Sequence, residues 1–311
     1  MRHFLRDDDL SPAEQAQVLE LAAKLKARPY DAVSPGPLAG PRTVALIFDK
    51  PTLRTQASFA AGIAELGGYP MLVDGKLAGI GVREQVSDVA RVLGRQASVI
   101  VWRTFEQSRI EEMAEHAGVP VVNALTDQFH PCQLLADLLT VVEHKGRTAG
   151  LTVAFLGDGA SNMGSSWLLA GATAGMEVRI SSPELYQPDP QIVDEATRIT
   201  DGTEGSVALE PDPRAAVAGA DVVVTDTWVS MGSEEERDAR LEAFRDHAVT
   251  VELFAEAKPD AIAMHCLPAY RGKEIDAEVI DGPRSVVWDE AENRRHAQKA
   301  ILTFLLEEDP E

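Results

Sequence analysis

The stretch Phe129-His130-Pro131-Cys132-Gln133 sets a histidine, a thiol and a carboxamide within about one helical turn. Met264-His265-Cys266-Leu267-Pro268 places the second and last cysteine beside another histidine. Such residues could form a metal site, a thiol with its base, or an oxyanion donor next to a hydrogen-bonding amide. No CxxC occurs, and His3, His116, His144, His247 and His296 show no ligand spacing, so no metal is expected.

Three further stretches could do chemistry. Asp49-Lys50-Pro51-Thr52-Leu53-Arg54-Thr55 joins a strand-like run to a helical one, where free backbone N–H groups favour an anion; Arg54 adds a fork of donors, and Thr52 and Thr55 add hydroxyls. A Thr52 N-cap beside a solvated Arg54 is the plain alternative. Gly157-Asp158-Gly159-Ala160-Ser161-Asn162 suggests a dinucleotide turn with Glu184 as a ribose acid, yet Asn162 stands where the third glycine belongs. Asp226-Thr227-Trp228-Val229-Ser230-Met231-Gly232 offers an acid, hydroxyls and a glycine-permitted turn, suited to an amino acid's ammonium and carboxylate or to an ordinary Asx turn.

The elements needed to hold these stretches are βα units. Strands are expected at Thr43 to Phe48, Ser98 to Trp102, Val119 to Val122, Leu151 to Leu156, Glu177 to Ile180, Asp221 to Val224, Ala261 to Met264 and Ser285 to Trp288, with helices between them. Arg103 then follows a strand, at the same sheet edge as Arg54. Pro131 suits the first position of a helix striped by Leu134, Leu135, Leu138, Leu139 and Val142. A last helix runs from about Asp289 to Glu307. The polar stretch His144 to Gly150 marks a boundary between two doubly wound α/β domains, 1–145 completed by the helix at about 289–311, and 146–288, with the active-site cleft between them.

With 311 residues, two cores are expected; 45% hydrophobic and 25% charged residues are ordinary globular composition. A formal charge of −21 argues against nucleic acid and anionic membranes as partners. There is no apolar run of membrane length and no signal core at the start, so a cytoplasmic location is expected.

Together the motifs resemble the aspartate/ornithine carbamoyltransferase family, over essentially the whole chain. Phe48 to Thr55 is similar to its Phe-x-Lys-x-Ser/Thr-x-Arg-Thr signature, and His130-Pro131-Cys132-Gln133 to its His-Pro-x-Gln motif. Asp226 to Gly232 and His265 to Pro268 resemble the Asp-x-x-x-Ser-Met-Gly and His-Cys-Leu-Pro segments of its ornithine branch.

The resemblance implies carbamoyl transfer from carbamoyl phosphate to the δ-amine of L-ornithine, without a cofactor, by a homotrimer in arginine biosynthesis. It implies carbamoyl-phosphate contacts from Thr52, Leu53, Arg54, Thr55, Arg103, His130, Gln133, Cys266, Leu267 and Arg294. Ornithine would meet Asn162, Asp226, Ser230 and Met231; Arg103, His130 and Cys266 would be catalytic. Gln56 replaces a common second arginine, and Gly79 stands where many members carry a glutamine that reaches the neighbouring subunit's substrate. Another amine acceptor, a non-catalytic homologue and a nicotinamide-dependent dehydrogenase are the competing readings.

Overall fold

The computed structural model describes residues 1–29, 36–229 and 234–307. Two compact units emerge, one made of Met1–Leu139 and the chain from Glu292 onward, the other of Thr140–Ala291. The first division falls inside a helix, upstream of the polar stretch at His144 to Gly150.

The first unit carries β1 (Thr43–Phe48), β2 (Tyr69–Asp74), β3 (Val99–Arg103) and β4 (Val121–Leu125). Its helices are α1 (Pro12–Ala27), α2 (Arg54–Glu65), α3 (Gly75–Ala78), α4 (Val86–Leu93), α5 (Gln107–Ala117) and the start of α6 (Pro131–Lys145). The strands are parallel, in the order β2-β1-β3-β4. Strands β1, β3 and β4 are almost wholly buried, as parallel strands covered on both faces must be, and one core layer joins Ile47, Trp102, Ile110 and Met113.

The second unit carries β5 (Thr152–Leu156), β6 (Glu177–Ser181), β7 (Ser206–Leu209), β8 (Val222–Thr225) and β9 (Ile262–His265), again all parallel, in the order β7-β6-β5-β8-β9. Helices α7 (Asn162–Thr173), α8 (Pro190–Thr200), α9 (Pro213–Val217), α10 (Arg237–Phe244), α11 (Val251–Phe254) and α12 (Ala277–Ile280) accompany them. Helix α7 is buried on all sides from Met163 to Thr173, and Gly164 makes that possible: a Cβ there would lie 2.3 Å from the carbonyl oxygen of Gly159. The close approach expected of a third fingerprint glycine is thus supplied two residues beyond Asn162.

Both sheets reverse their winding direction at one place, between β1 and β3 and between β5 and β8. Loops at such a switch point diverge and leave a crevice beyond the strand ends. The loop after β1 runs from Asp49 to Leu53 into Arg54 at the start of α2, and Arg103 ends β3; the loops after β5 and β8 hold the Gly157 turn and Asp226.

The expected strand at Ser285 to Trp288 is a correction. Ser285 makes only an isolated bridge with Ala263, and the last helix, α13 (Val287–Glu307), has already begun at Val287. The two apolar β-branched residues there pack as the start of a helix, because Val286 donates its N–H to Ala263 and accepts from Glu290. Edge strands β2 and β7, half exposed, were not expected from the sequence.

Candidate active site

In the first unit the cationic residues converge on Thr55. Its hydroxyl oxygen accepts from Arg103 Nη1 at 3.3 Å and from Arg294 Nη2 at 2.8 Å. Arg294 also donates through Nη1 to Gln133 Oε1, and Gln133 Nε2 donates to Asp137 at 2.7 Å. Thr55, Gln133, Asp137 and Arg294 are all buried, so these charges act through low-dielectric surroundings. Thr55, Arg103, Gln133 and Arg294 are expected from the sequence; Asp137, one turn along α6 from Gln133, is not.

His130 sits at the start of α6, 4% exposed. Burial, and then the charges of Arg294, Arg103 and Arg54, hold its pKa well below the ordinary value. An imidazole kept neutral by burial and by guanidinium charge nearby can donate a hydrogen bond without adding a further charge, the state an oxyanion donor needs in a site already cationic.

The start of α2 completes the first unit's constellation. Its N-cap residue is Leu53, 79% exposed, whose side chain makes no cap, so the alternative of a Thr52 N-cap is not what forms. The first-turn N–H groups of α2 point toward the loop that precedes it, the arrangement that favours an anion. Lys50 spans from this loop to Asp127, in the loop before His130, and lies 4.5 Å over the ring of Phe105. Asp49, pushed upward in pKa mainly by burial, accepts from Trp102 Nε1 at 3.1 Å and Thr104 Oγ1 at 2.6 Å and pairs with Arg109 at 3.4 Å. Gly79 ends α3 in the left-handed region at φ 68°, a backbone conformation that favours glycine.

In the second unit Asp226, just past β8, accepts from its neighbour's backbone Thr227 N at 2.7 Å and from Cys266 Sγ at 3.1 Å. Asn162 opens α7 behind the capping Ser161. The expected Ser230 and Met231 lie outside the described residues. The segment leading to them is anchored by Arg240 of α10, which sequence reasoning missed because a lone arginine carries no pattern. Arg240 is 6% exposed, donates to the Trp228 carbonyl at 2.5 Å and to Asp158, and stacks 4.8 Å over Tyr186. That pairing commits Asp158 to shaping the turn.

The two cysteines part company here. Cys132 donates to the Asn123 carbonyl at 3.3 Å, and burial pushes its thiol up to about 12. It is packing. Cys266 is partly exposed and faces a carboxylate. Asp226, His265 and Cys266 are the one trio of this kind among the described residues whose donor atoms lie within 4.8 Å of one another. His265, however, already uses its ring nitrogens on Leu267 N, at 2.9 Å, and Glu274, at 3.4 Å. No described helix is long and apolar enough to cross a membrane.

Known proteins resemble this chain over nearly its whole length. Residues 2–143 match the aspartate/ornithine carbamoyltransferase carbamoyl-P binding domain, and residues 149–305 the Asp/Orn binding domain of the same family. The ornithine carbamoyltransferase of Leifsonia xyli is 60% identical over 305 residues, covering 98% of this chain and 97% of that protein. That of Clavibacter michiganensis is 61% identical, covering 98% of each. Among solved structures, the Pyrococcus furiosus ornithine carbamoyltransferase superposes with a TM-score of 0.94 at 40% identity, covering 99% of this chain and 98% of that one. The anabolic Campylobacter jejuni enzyme gives 0.94 at 35% identity, covering 99% and 100%.

Proposed function

The chain belongs to the aspartate/ornithine carbamoyltransferase family, and from that premise we propose that it transfers the carbamoyl group of carbamoyl phosphate to the δ-amine of L-ornithine, giving L-citrulline and phosphate. The observation that carries this reading is the convergence of Arg103 and Arg294 on Thr55 in the first turn of α2, with Arg294 also bonded to Gln133 in the first turn of α6, the helix that His130 opens. Carbamoyl phosphate brings about two negative charges together with a carbonyl that must gain a third in the transition state. The α2 N-terminus, with Thr52, Leu53, Arg54 and Thr55, binds the phosphoryl end, while Arg103 and His130 polarise the carbonyl. Gln133, held by Arg294 and Asp137, orients the carbamoyl NH₂.

Ornithine's δ-ammonium has an ordinary pKa of about 10 and must lose a proton before its nitrogen can attack. The Cys266 thiol, hydrogen-bonded to Asp226, is the group assigned to meet that amine as a polar partner and not as a covalent nucleophile. Asn162, Asp226, Ser230 and Met231 take the α-amino and carboxylate end, and Leu267 contributes a backbone group to the carbamoyl side. The whole-chain identity to ornithine carbamoyltransferases supports ornithine over another acceptor.

Arginine biosynthesis, a cytoplasmic location and a homotrimer belong to the same proposal. Incubation with carbamoyl phosphate and ornithine should yield citrulline; turnover with another amine and none with ornithine would overturn the acceptor, and tight binding of a bisubstrate analogue without turnover would overturn catalysis. Light scattering should give three times the chain mass.

A further inference from the structure

His265 ends β9 beside the thiol, and nothing so far gives it a task. Its side chain is wholly buried. Its backbone N–H donates to Glu290 Oε2 at 2.9 Å, its Nδ1 accepts the N–H of Leu267 at 2.9 Å, and its Nε2 lies 3.4 Å from Glu274 Oε1. Because Nδ1 accepts, the ring proton resides on Nε2, directed at Glu274. Glu274, 1% exposed, is itself fixed by the N–H of Tyr270.

The peptide held by this imidazole is unusual. Leu267 has φ 58°, the sole non-glycine with positive φ among the described residues. Leucine rarely adopts that region, and such a conformation persists only when its surroundings impose it. One residue back, the thiol of Cys266 is aimed at Asp226, 3.1 Å away.

We propose that His265 is a positioning residue for the transfer reaction: its Nδ1, oriented by Glu274, holds Leu267 in the left-handed region and thereby sets where the Cys266 thiol and the Leu267 backbone point. This rests on the reading that Cys266 and Leu267 face the substrates.

Two variants of like polarity but different reach separate this from mere packing. His265→Asn places a carboxamide oxygen as many bonds from Cβ as Nδ1 is, and so keeps an acceptor for Leu267; His265→Gln carries its amide one bond further out and loses it. The expected result is kcat within about 5-fold of the parent for H265N and a fall of at least about 30-fold for H265Q, as one lost hydrogen bond of this class implies. The second readout needs no substrate: the pH profile of Cys266 alkylation by iodoacetamide, followed by mass spectrometry, in which buried Cys132 stays silent. H265N should keep the parent profile and H265Q should displace it.

Equal behaviour of the two variants in both readouts overturns the proposal. If H265Q does not fold, Glu274→Leu, which removes the partner of Nε2, must displace the alkylation profile from that of the parent; an unchanged profile overturns it. A parent protein that makes no citrulline would undo the proposed function, while the alkylation comparison would still stand or fall by itself.

Discussion

A single hydroxyl organises the cationic half of the site. Thr55 Oγ1 receives two guanidinium groups that would otherwise repel each other, so Thr55→Val takes this acceptor from a buried donor of Arg294 and a partly buried donor of Arg103. A hydrogen bond to a charged group is worth roughly 1.5–3 kcal/mol, equivalent to about 10- to 150-fold in rate. Steady-state kinetics on T55V should show a loss of kcat/KM of that size for carbamoyl phosphate, with far-UV circular dichroism unchanged. The types at these positions were legible: Arg54, Arg103, His130, Gln133 and Arg294 were all named from motifs. Their mutual arrangement was not, because hydrogen bonds between residues 239 apart in sequence, such as Arg294 to Thr55, leave no local pattern.

At the level of elements, the site depends on loops that must keep station with one another. Lys50 links the loop entering α2 to Asp127, in the loop entering α6, and its side chain is only 10% exposed while that of Asp127 is 54% exposed. A pair open to solvent on one side contributes under about 1 kcal/mol to folding. Substituting Asp127→Asn should therefore move the melting temperature little, yet raise the KM for carbamoyl phosphate by about 3- to 10-fold by loosening the loop that carries His130. Equal small changes in both would mean that the bridge is ornamental. Lys50 stood in plain view inside the signature, but its partner could not be read, since an exposed aspartate in a loop is ordinary. The same limit explains the missed edge strands: Tyr69–Asp74 and Ser206–Leu209 face solvent and lack the continuous apolar run that revealed β1, β3 and β5. Conversely, SVVW had the composition of a strand and was taken into a helix by its neighbours.

For the molecule as a whole, acid should be the stress that matters. His296 is 1% exposed, and burial, followed by the charges of Lys299, Arg295 and Lys26, lowers its pKa to about 3; His130 is lowered as well. Both take up protons in the unfolded chain near pH 6.5 but not in the folded one. The unfolded state then binds more protons below that pH, so stability is complete above about 6.5 and declines as the pH falls toward 3. Thermal melts from pH 7 to 4 should show this slope, and His296→Gln should flatten part of it. The overall charge of −21 and the two-domain parallel architecture were legible from composition and periodicity, whereas buried titratable groups were not, because burial is a property of the finished fold.

One detail of α2 reaches further than the site itself. A helix normally closes its first turn with a serine, threonine, aspartate or asparagine of its own; this one begins at Leu53, which has nothing to offer. If the phosphoryl oxygens accept from that turn, the substrate is also the missing piece of secondary structure. The amides of Arg54, Thr55 and Gln56 would then exchange with solvent on a clock set by occupancy, and the boundary between loop and helix becomes a record of whether the protein is loaded.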